Sequence, residues 1–229
     1  MSAGTPPAKH LTIAGKDVAP LSALLMKPRR ARACFVFAHG AGAGMSHAFM
    51  EAIATGLYAR GIATLRYQFP FMEKGSKRPD SPAVAQVAVR AAVAEARKRC
   101  RGMPLIAGGK SFGGRMTSQA QASRPLPGVR GLAFLGFPLH PPDKPAILRA
   151  EHLWEVEIPM LFVQGTRDKL AELRLLKSVT KRLGKRATTH LIDQADHAFH
   201  MPARSGRTDS DVMIDILDAF TGWVDRVVG

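Results

Sequence analysis

The 229-residue sequence predicts an α/β fold, a mostly parallel central sheet with helices on both faces, and three observations predict it. Short apolar runs alternate with segments of helical periodicity along nearly the whole chain, the pattern of a sheet built from strand–helix–strand crossovers. Some runs, Cys34-Phe35-Val36-Phe37-Ala38 above all, are apolar at every position, as strands covered on both faces are. The stretches richest in glycine and polar residues follow the ends of these runs, where loops at the carboxyl edge of such a sheet carry function. The length suits one domain of this class.

Residues 1–9 are small, polar and proline-containing, and are expected to be a mobile end preceding a single domain over 10–229. Leu11 to Ile13 and Leu21 to Met26 are short strand candidates, followed by the Cys34 to Ala38 strand and the loop His39-Gly40-Ala41-Gly42-Ala43-Gly44. A helix from about His47 to Arg60 places Met50, Ile53 and Leu57 on one side, and Gly61 ends it. Ile62 to Tyr67 reads as a strand, closed by Phe69-Pro70-Phe71 and a polar loop to Pro82. Val84, Val87, Ala88, Ala91 and Ala94 recur at helical spacing as the expected apolar face of the next helix, with Gln86, Arg90 and Arg97 turned away. Leu105 onward is a strand and Arg115 to Ala122 a helix; Val129 to Phe137 is the following strand. A proline-containing crossover, residues 138–158, holds a short amphipathic helix around Leu148 to Trp154 and leaves room only for a minimal cap. Met160 to Gln164 is a strand, Leu176, Val179 and Leu183 mark a helix, Thr188 to Ile192 is the last strand, and a final helix enters through Asp209.

Bulk composition narrows the function. Lys and Arg number 33 against 18 Asp and Glu, a net charge of +15 that would attract nucleic acid, anionic membranes or acidic substrates. The basic residues are dispersed over Lys27 to Arg32, Arg97 to Arg101 and Lys177 to Arg186 without interleaved aromatic platforms, so they read as solvated faces rather than a nucleic-acid surface. No apolar stretch approaches the ~20 residues that span a bilayer, and Met1 to His10 lacks the apolar core of a secretion signal. A cytoplasmic protein without membrane association is therefore expected. Two cysteines, Cys34 and Cys100, suggest neither a disulfide framework nor a metal cluster, and no cofactor is called for.

The chemistry centres on Leu105-Ile106-Ala107-Gly108-Gly109-Lys110-Ser111-Phe112-Gly113-Gly114. A strand entering Gly-x-Ser-x-Gly and a helix leaving it is a nucleophile elbow, whose tight turn admits only small residues two before and two after the serine. Two rivals fail. A phosphate-binding P-loop ending at Gly109-Lys110-Ser111 needs glycine where Pro104 stands, and a dinucleotide fingerprint beginning at Gly40 needs glycine where Met45 stands.

A serine hydroxyl needs a base, and the base an orienting acid. Of the five histidines after the elbow, His197 lies in the loop directly after the last strand; His200 competes, His190 lies within that strand, and His140 and His152 belong to the crossover. Asp168, in Gly165-Thr166-Arg167-Asp168 after the preceding strand, supplies the acid in the chain order Ser, Asp, His; its alternative is a cap for a helix beginning near Leu170. Asp196 is a poor acid for the adjacent His197 because neighbouring side chains diverge. Negative charge developing on a substrate oxygen needs preorganised donors, for which the backbone N–H groups of Phe112 and Ala41 are the candidates.

These stretches, with Leu65-Arg66-Tyr67-Gln68-Phe69-Pro70-Phe71 and Ala195-Asp196-His197-Ala198-Phe199, resemble the α/β-hydrolase superfamily and, within it, the small dienelactone-hydrolase-related proteins. The similarity extends to small bacterial hydrolases related to a testis-expressed hydrolase-like protein and to a hydrolase-like subunit of a histone-acetyltransferase complex. The resemblance implies an α/β-hydrolase fold, Ser111 as nucleophile, His197 as base, Asp168 as acid, and an acyl-serine intermediate. His39, Gly40, Gly42, Arg66, Phe69, Lys110 and Phe199 are candidate substrate contacts, and Lys110 and Arg115, which sit beside Ser111, with Arg66, are cations for a substrate carboxylate or, alternatively, members of structural ion pairs or solvent-facing residues. Dienelactone hydrolases proper carry cysteine where Ser111 stands, so dienelactone is not carried over as the substrate. The expected activity is hydrolysis of a small carboxylic ester, with short acyl chains preferred. A non-catalytic binding or scaffold module on the same fold, and thioesterase or peptidase action, are the alternatives. The oligomeric state is not specified.

Overall fold

Alternating apolar runs become eight strands: β1 Lys9–Gly15, β2 Val18–Met26, β3 Ala33–Ala38, β4 Ile62–Tyr67, β5 Leu105–Lys110, β6 Val129–Leu135, β7 Met160–Gly165 and β8 Ala187–Ile192. The computed structural model describes residues 8–15 and 17–229, and in it the strands form one open sheet of order β1-β2-β4-β3-β5-β6-β7-β8. β1 and β2 run antiparallel, and from β4 to β8 every pairing is parallel. Most of the expected mobile end lies outside the described residues, and Lys9 already pairs with Leu25 in β1.

β3, β4 and β7 are buried at every position, as their unbroken apolar runs require when both faces are covered. Helices α1 (Ala48–Ala59) and α6 (Asp209–Val228) cover one face through Met50, Ile53, Leu57, Ile216, Phe220 and Trp223. Helices α3 (Pro82–Arg99), α4 (Phe112–Ser123) and α5 (Leu173–Leu183) cover the other. A Thr208–Asp211 capping box starts α6 and fixes where the chain re-enters helix after the His197 loop. Among the described residues no helix is long and apolar enough to cross a membrane.

Three local expectations change. The buried face of α3 is Ala85, Ala88, Val89, Ala92, Val93 and Ala96, while Val84 and Ala94 are exposed. This helix carries apolar residues around most of its circumference up to Ala94, so periodicity alone did not orient it; contact with the sheet did. Phe69-Pro70-Phe71 is more than a strand closure, because Pro70 opens a one-turn helix, α2 (Pro70–Glu73), with proline in the first turn where its missing N–H costs nothing. The crossover helix is a 3-10 segment, Leu148–Glu155, that buries Ala150 and Leu153 against α4 and leaves Leu148 71% exposed, while its Arg149 reaches the cleft beside Ser111, near the mouth as expected.

Strand order sets the position of function. The chain moves outward from β3 to β4, then returns across β3 to place β5 on its other side. The loops leaving β3 and β5 therefore separate and open a crevice at the carboxyl edge of the sheet, the switch point where ligands bind in open α/β sheets.

Candidate active site

Ser111 sits between β5 and α4 with φ 49 and ψ −115, a left-handed backbone seldom adopted by residues with a side chain. Such strain costs on the order of 1–3 kcal/mol and persists only where surroundings impose it. The flanking glycines show the imposition: a Cβ on Gly109 would lie 2.3 Å from the Ala38 carbonyl oxygen, and one on Gly113 would lie 2.5 Å from that of His39. Main chain of β3 and main chain of the elbow are thus packed in direct contact, leaving the Ser111 hydroxyl at the crevice.

The Ser111 hydroxyl donates to His197 Nε2 at 2.9 Å, and His197 Nδ1–H donates to Asp168 Oδ2 at 2.6 Å. Three residues far apart in sequence meet because β5, β7 and β8 end at one edge of the sheet. Backbone bonds tie the last two loops together: Thr166 N–H donates to the Ile192 carbonyl and Arg167 N–H to that of Ala195. Asp196 shapes the His197 loop from within, accepting the N–H groups of Ala198 and His200 on one oxygen. The Asp168 side chain is fully buried and its second oxygen accepts Leu170 N–H at 2.8 Å. The helix beyond it starts only at Leu173, so Asp168 holds a turn as well as the imidazole, and is not that helix's cap.

The other histidines have their own partners. His200 pairs with Asp209 and His190 with Asp215 at the surface; His140 accepts Glu172 N–H; His152 meets the Ser118 hydroxyl.

A cleft of about 330 Å³ opens on Ser111, lined by Gly40, Ala41, Gly42, Phe49, Met50, Lys110, Leu170 and His197 among others. A second arm, on the α4 side of Ser111, is lined by Ala41, Phe112, Arg115, Arg149 and prolines 138, 141 and 142. Ala41 and Phe112 share this arm with Ser111, and neither N–H is bonded to a protein acceptor among the described residues. Phe112 is also the first residue of α4, where exposed N–H groups and the helix dipole favour negative charge.

Four candidate substrate contacts stand elsewhere than the sequence suggested. His39 is fully buried, donating from Nδ1 to the Gly40 carbonyl and accepting Phe69 N–H on Nε2, and burial holds its pKa below the ordinary value. Arg66 is buried and donates to the Met45 carbonyl; Phe69 is enclosed by His39, Tyr67 and Phe112. Phe199 is buried and stacks on Phe49 at 5.8 Å. All four support the walls of the cleft rather than its surface, because each finds its partners within the protein. Gly40, Gly42 and Lys110 do line it. Sequence reading missed Gln164, which is fully buried, accepts Phe137 N–H and donates from Nε2 to Asp168 Oδ2; a lone glutamine ending an apolar strand was the available signal.

Lys110 is held beside Ser111 by donating to the His197 carbonyl, with its ammonium 5.0 Å from the Phe199 ring centroid and 5.9 Å from that of Phe49. Burial pushes its pKa down to about 8, against the opposing attraction of Asp168 and Asp196. Below pH 8 the folded state therefore bears the whole cost of a buried charge, and between about 8 and 10.5 the unfolded chain binds more protons, so stability rises with pH there. Relative to Lys110→Met, the wild type should gain about 2 kcal/mol between pH 7 and pH 10 in urea unfolding. A pH-independent difference would show that Lys110 is not desolvated.

The chain matches a family described as alpha/beta hydrolase domain across residues 31–225. Among solved structures it is similar to a dienelactone hydrolase from Anabaena variabilis, at 20% identity, 95% of this chain, 98% of that one and a TM-score of 0.76. An α/β serine hydrolase without a lid from Xanthomonas campestris matches at 19% identity over 95% of both chains, TM-score 0.74. Est1E from Butyrivibrio proteoclasticus matches at 17% identity over 94% of this chain and 99% of that one, TM-score 0.70.

Proposed function

Since the chain belongs to the alpha/beta hydrolase family, we propose that it is a serine hydrolase acting on small carboxylic esters through Ser111, His197 and Asp168. The observation that carries this reading is the continuous hydrogen-bond chain from the Ser111 hydroxyl through both imidazole nitrogens to a buried carboxylate. His197 Nε2 takes the Ser111 proton as Oγ attacks the ester carbonyl, and Asp168 holds the tautomer and stabilises the imidazolium. The Ala41 and Phe112 N–H groups receive the oxyanion. The imidazolium then protonates the departing alcohol, and water, activated in the same way, releases the acid from the acyl-serine. Structures of similar fold, among them a dienelactone hydrolase and an esterase domain from Rhodothermus marinus, support the reaction class.

The short crossover reaches only the second arm and leaves the arm lined by Phe49 and Met50 uncovered, which favours short acyl groups over long ones. Treating the protein with a fluorophosphonate probe and weighing it intact should give one adduct, on Ser111, absent from His197→Ala. In the same preparation 4-nitrophenyl acetate or butyrate should exceed the palmitate ester in kcat/KM by about tenfold or more, because a long chain runs past the cleft into solvent and gains no binding there. An unlabelled, well-folded wild type would favour the non-catalytic alternative, and faster turnover of palmitate would refute the short-chain preference.

A further inference from the structure

Among the described residues, the arginines that are not exposed to solvent are, Arg115 and Arg149 apart, answered. Arg60 and Arg207 each meet a carboxylate, while Arg90 and Arg186 spend their guanidinium groups on carbonyl oxygens. Arg66 leaves its buried Nε unpaired but donates from another nitrogen to the Met45 carbonyl. Arg115 is different. It lies one helical turn beyond Ser111 on α4 and lines the second arm of the cleft with Ser111, Phe112 and Arg149. Its Nε is buried and has no hydrogen-bond partner, and among the described residues neither Arg115 nor Arg149 forms an ion pair. An unmade buried guanidinium donor costs free energy, and here it stands at a cleft beside Ser111 where a ligand can answer it.

The surroundings increase the local positive charge rather than offset it. Burial, and then the like charge of Arg149, push the Arg115 pKa down, and burial with the Arg115 charge pushes His152 down to about 4. Asp80 is the acidic residue lining this arm, and its Oδ2 already accepts Phe71 N–H. Prolines 138, 141 and 142 form an apolar wall that strengthens any charge pairing made there. The net charge of +15 draws anions toward the molecule as a whole.

We infer that Arg115 and Arg149 form an anion subsite beside Ser111, and that the ester hydrolysed here carries a free carboxylate. This assignment rests on the serine-hydrolase reading for its substrate but not for its ligand. A planar guanidinium fork matches a carboxylate, and two in one groove can hold it against both oxygens. The substrate lies across Ser111 with its apolar part toward Phe49 and Met50 and its carboxylate toward Arg115. Hydrolysis consumes one water and returns an acid and an alcohol; the recognised carboxylate is untouched.

The test uses Ser111→Ala, which binds without turnover, titrated calorimetrically at low salt with 4-acetoxybenzoate and with its neutral counterpart 4-acetoxybenzamide. The carboxylate should bind at least about tenfold tighter, as a charge-assisted pair gives. That preference should vanish on adding Arg115→Met, shrink on adding Arg149→Met, and weaken at high salt. Arg115→Met should also leave the melting temperature unchanged or higher, whereas an arginine needed for the fold would lower it. Equal affinity for the two compounds, no binding of either at millimolar concentration, or a preference that survives both substitutions would overturn the subsite. Wild-type turnover separates the two claims: a carboxylate preference in binding with no hydrolysis of either compound sinks the hydrolase reading alone, and hydrolysis without preference sinks the subsite alone.

Discussion

Replacing His197 by alanine should lower kcat/KM on a short ester by about 10⁴-fold or more, because the hydroxyl of Ser111 then has no base. The change is expected to be confined to chemistry. The loop that carries His197 is held by backbone groups, with Asp196 accepting two N–H groups and Lys110 donating to the His197 carbonyl, and neither contact uses the imidazole. Ser111→Ala should cost about as much, and the double variant no more than either alone, since residues acting as one unit lose their function together. Steady-state kinetics on the three variants tests this. Losses that multiply in the double variant would mean that the two side chains act independently, and the proposed relay would be wrong.

Asp168→Asn should reduce kcat by roughly 10³- to 10⁴-fold with little change in KM. Both oxygens of Asp168 face N–H donors: His197 Nδ1 and Gln164 Nε2 on one, Leu170 N–H on the other. An asparagine amide must turn its NH₂ toward one of these sides. Facing His197, it converts Nδ1 into an acceptor and moves the ring proton to Nε2, where the imidazole can no longer take the proton from Ser111. Facing Leu170, it sets donor against donor and strains the turn. The readout is kcat at saturating short ester, with circular dichroism to establish that the fold is retained. A fall of less than tenfold would point to another carboxylate, with Asp196 the nearest in sequence.

How far the site was legible in the chain depended on how local its determinants are. Gly109 and Gly113 stand two residues either side of Ser111 in one short motif, so the elbow could be read directly, although the main chain that forbids a Cβ at either position is that of Ala38 and His39. Asp168 and His197 follow strands recognisable by their own apolar runs, and loops after parallel strands share one edge; the structure brings both side chains into one hydrogen-bond chain with Ser111. Orientation was harder. In α3 apolar residues run around most of the circumference up to Ala94, so no sequence stripe distinguished the face containing Ala85 and Ala92 from the one containing Val84 and Ala94.

Partnership was not legible at all. His39 and Arg66 look like binding residues in a glycine-rich, cationic context, yet each is spent inside the protein, on Phe69 N–H and the Met45 carbonyl. Gln164 looked like a strand end and instead braces Asp168, while Arg115 looked like one basic residue among many and brings an unpartnered buried Nε to the arm beside Ser111. The amino-acid sequence by itself determined the fold class, the elbow and the order of Ser111, Asp168 and His197, because apolar runs and the elbow motif are each carried by neighbouring residues. Only the tertiary structure decided which polar groups are satisfied and which are left for a ligand. A donor's role depends on the acceptors that distant segments bring to it, and the penalty for an unmade bond arises only once those segments have packed and excluded water.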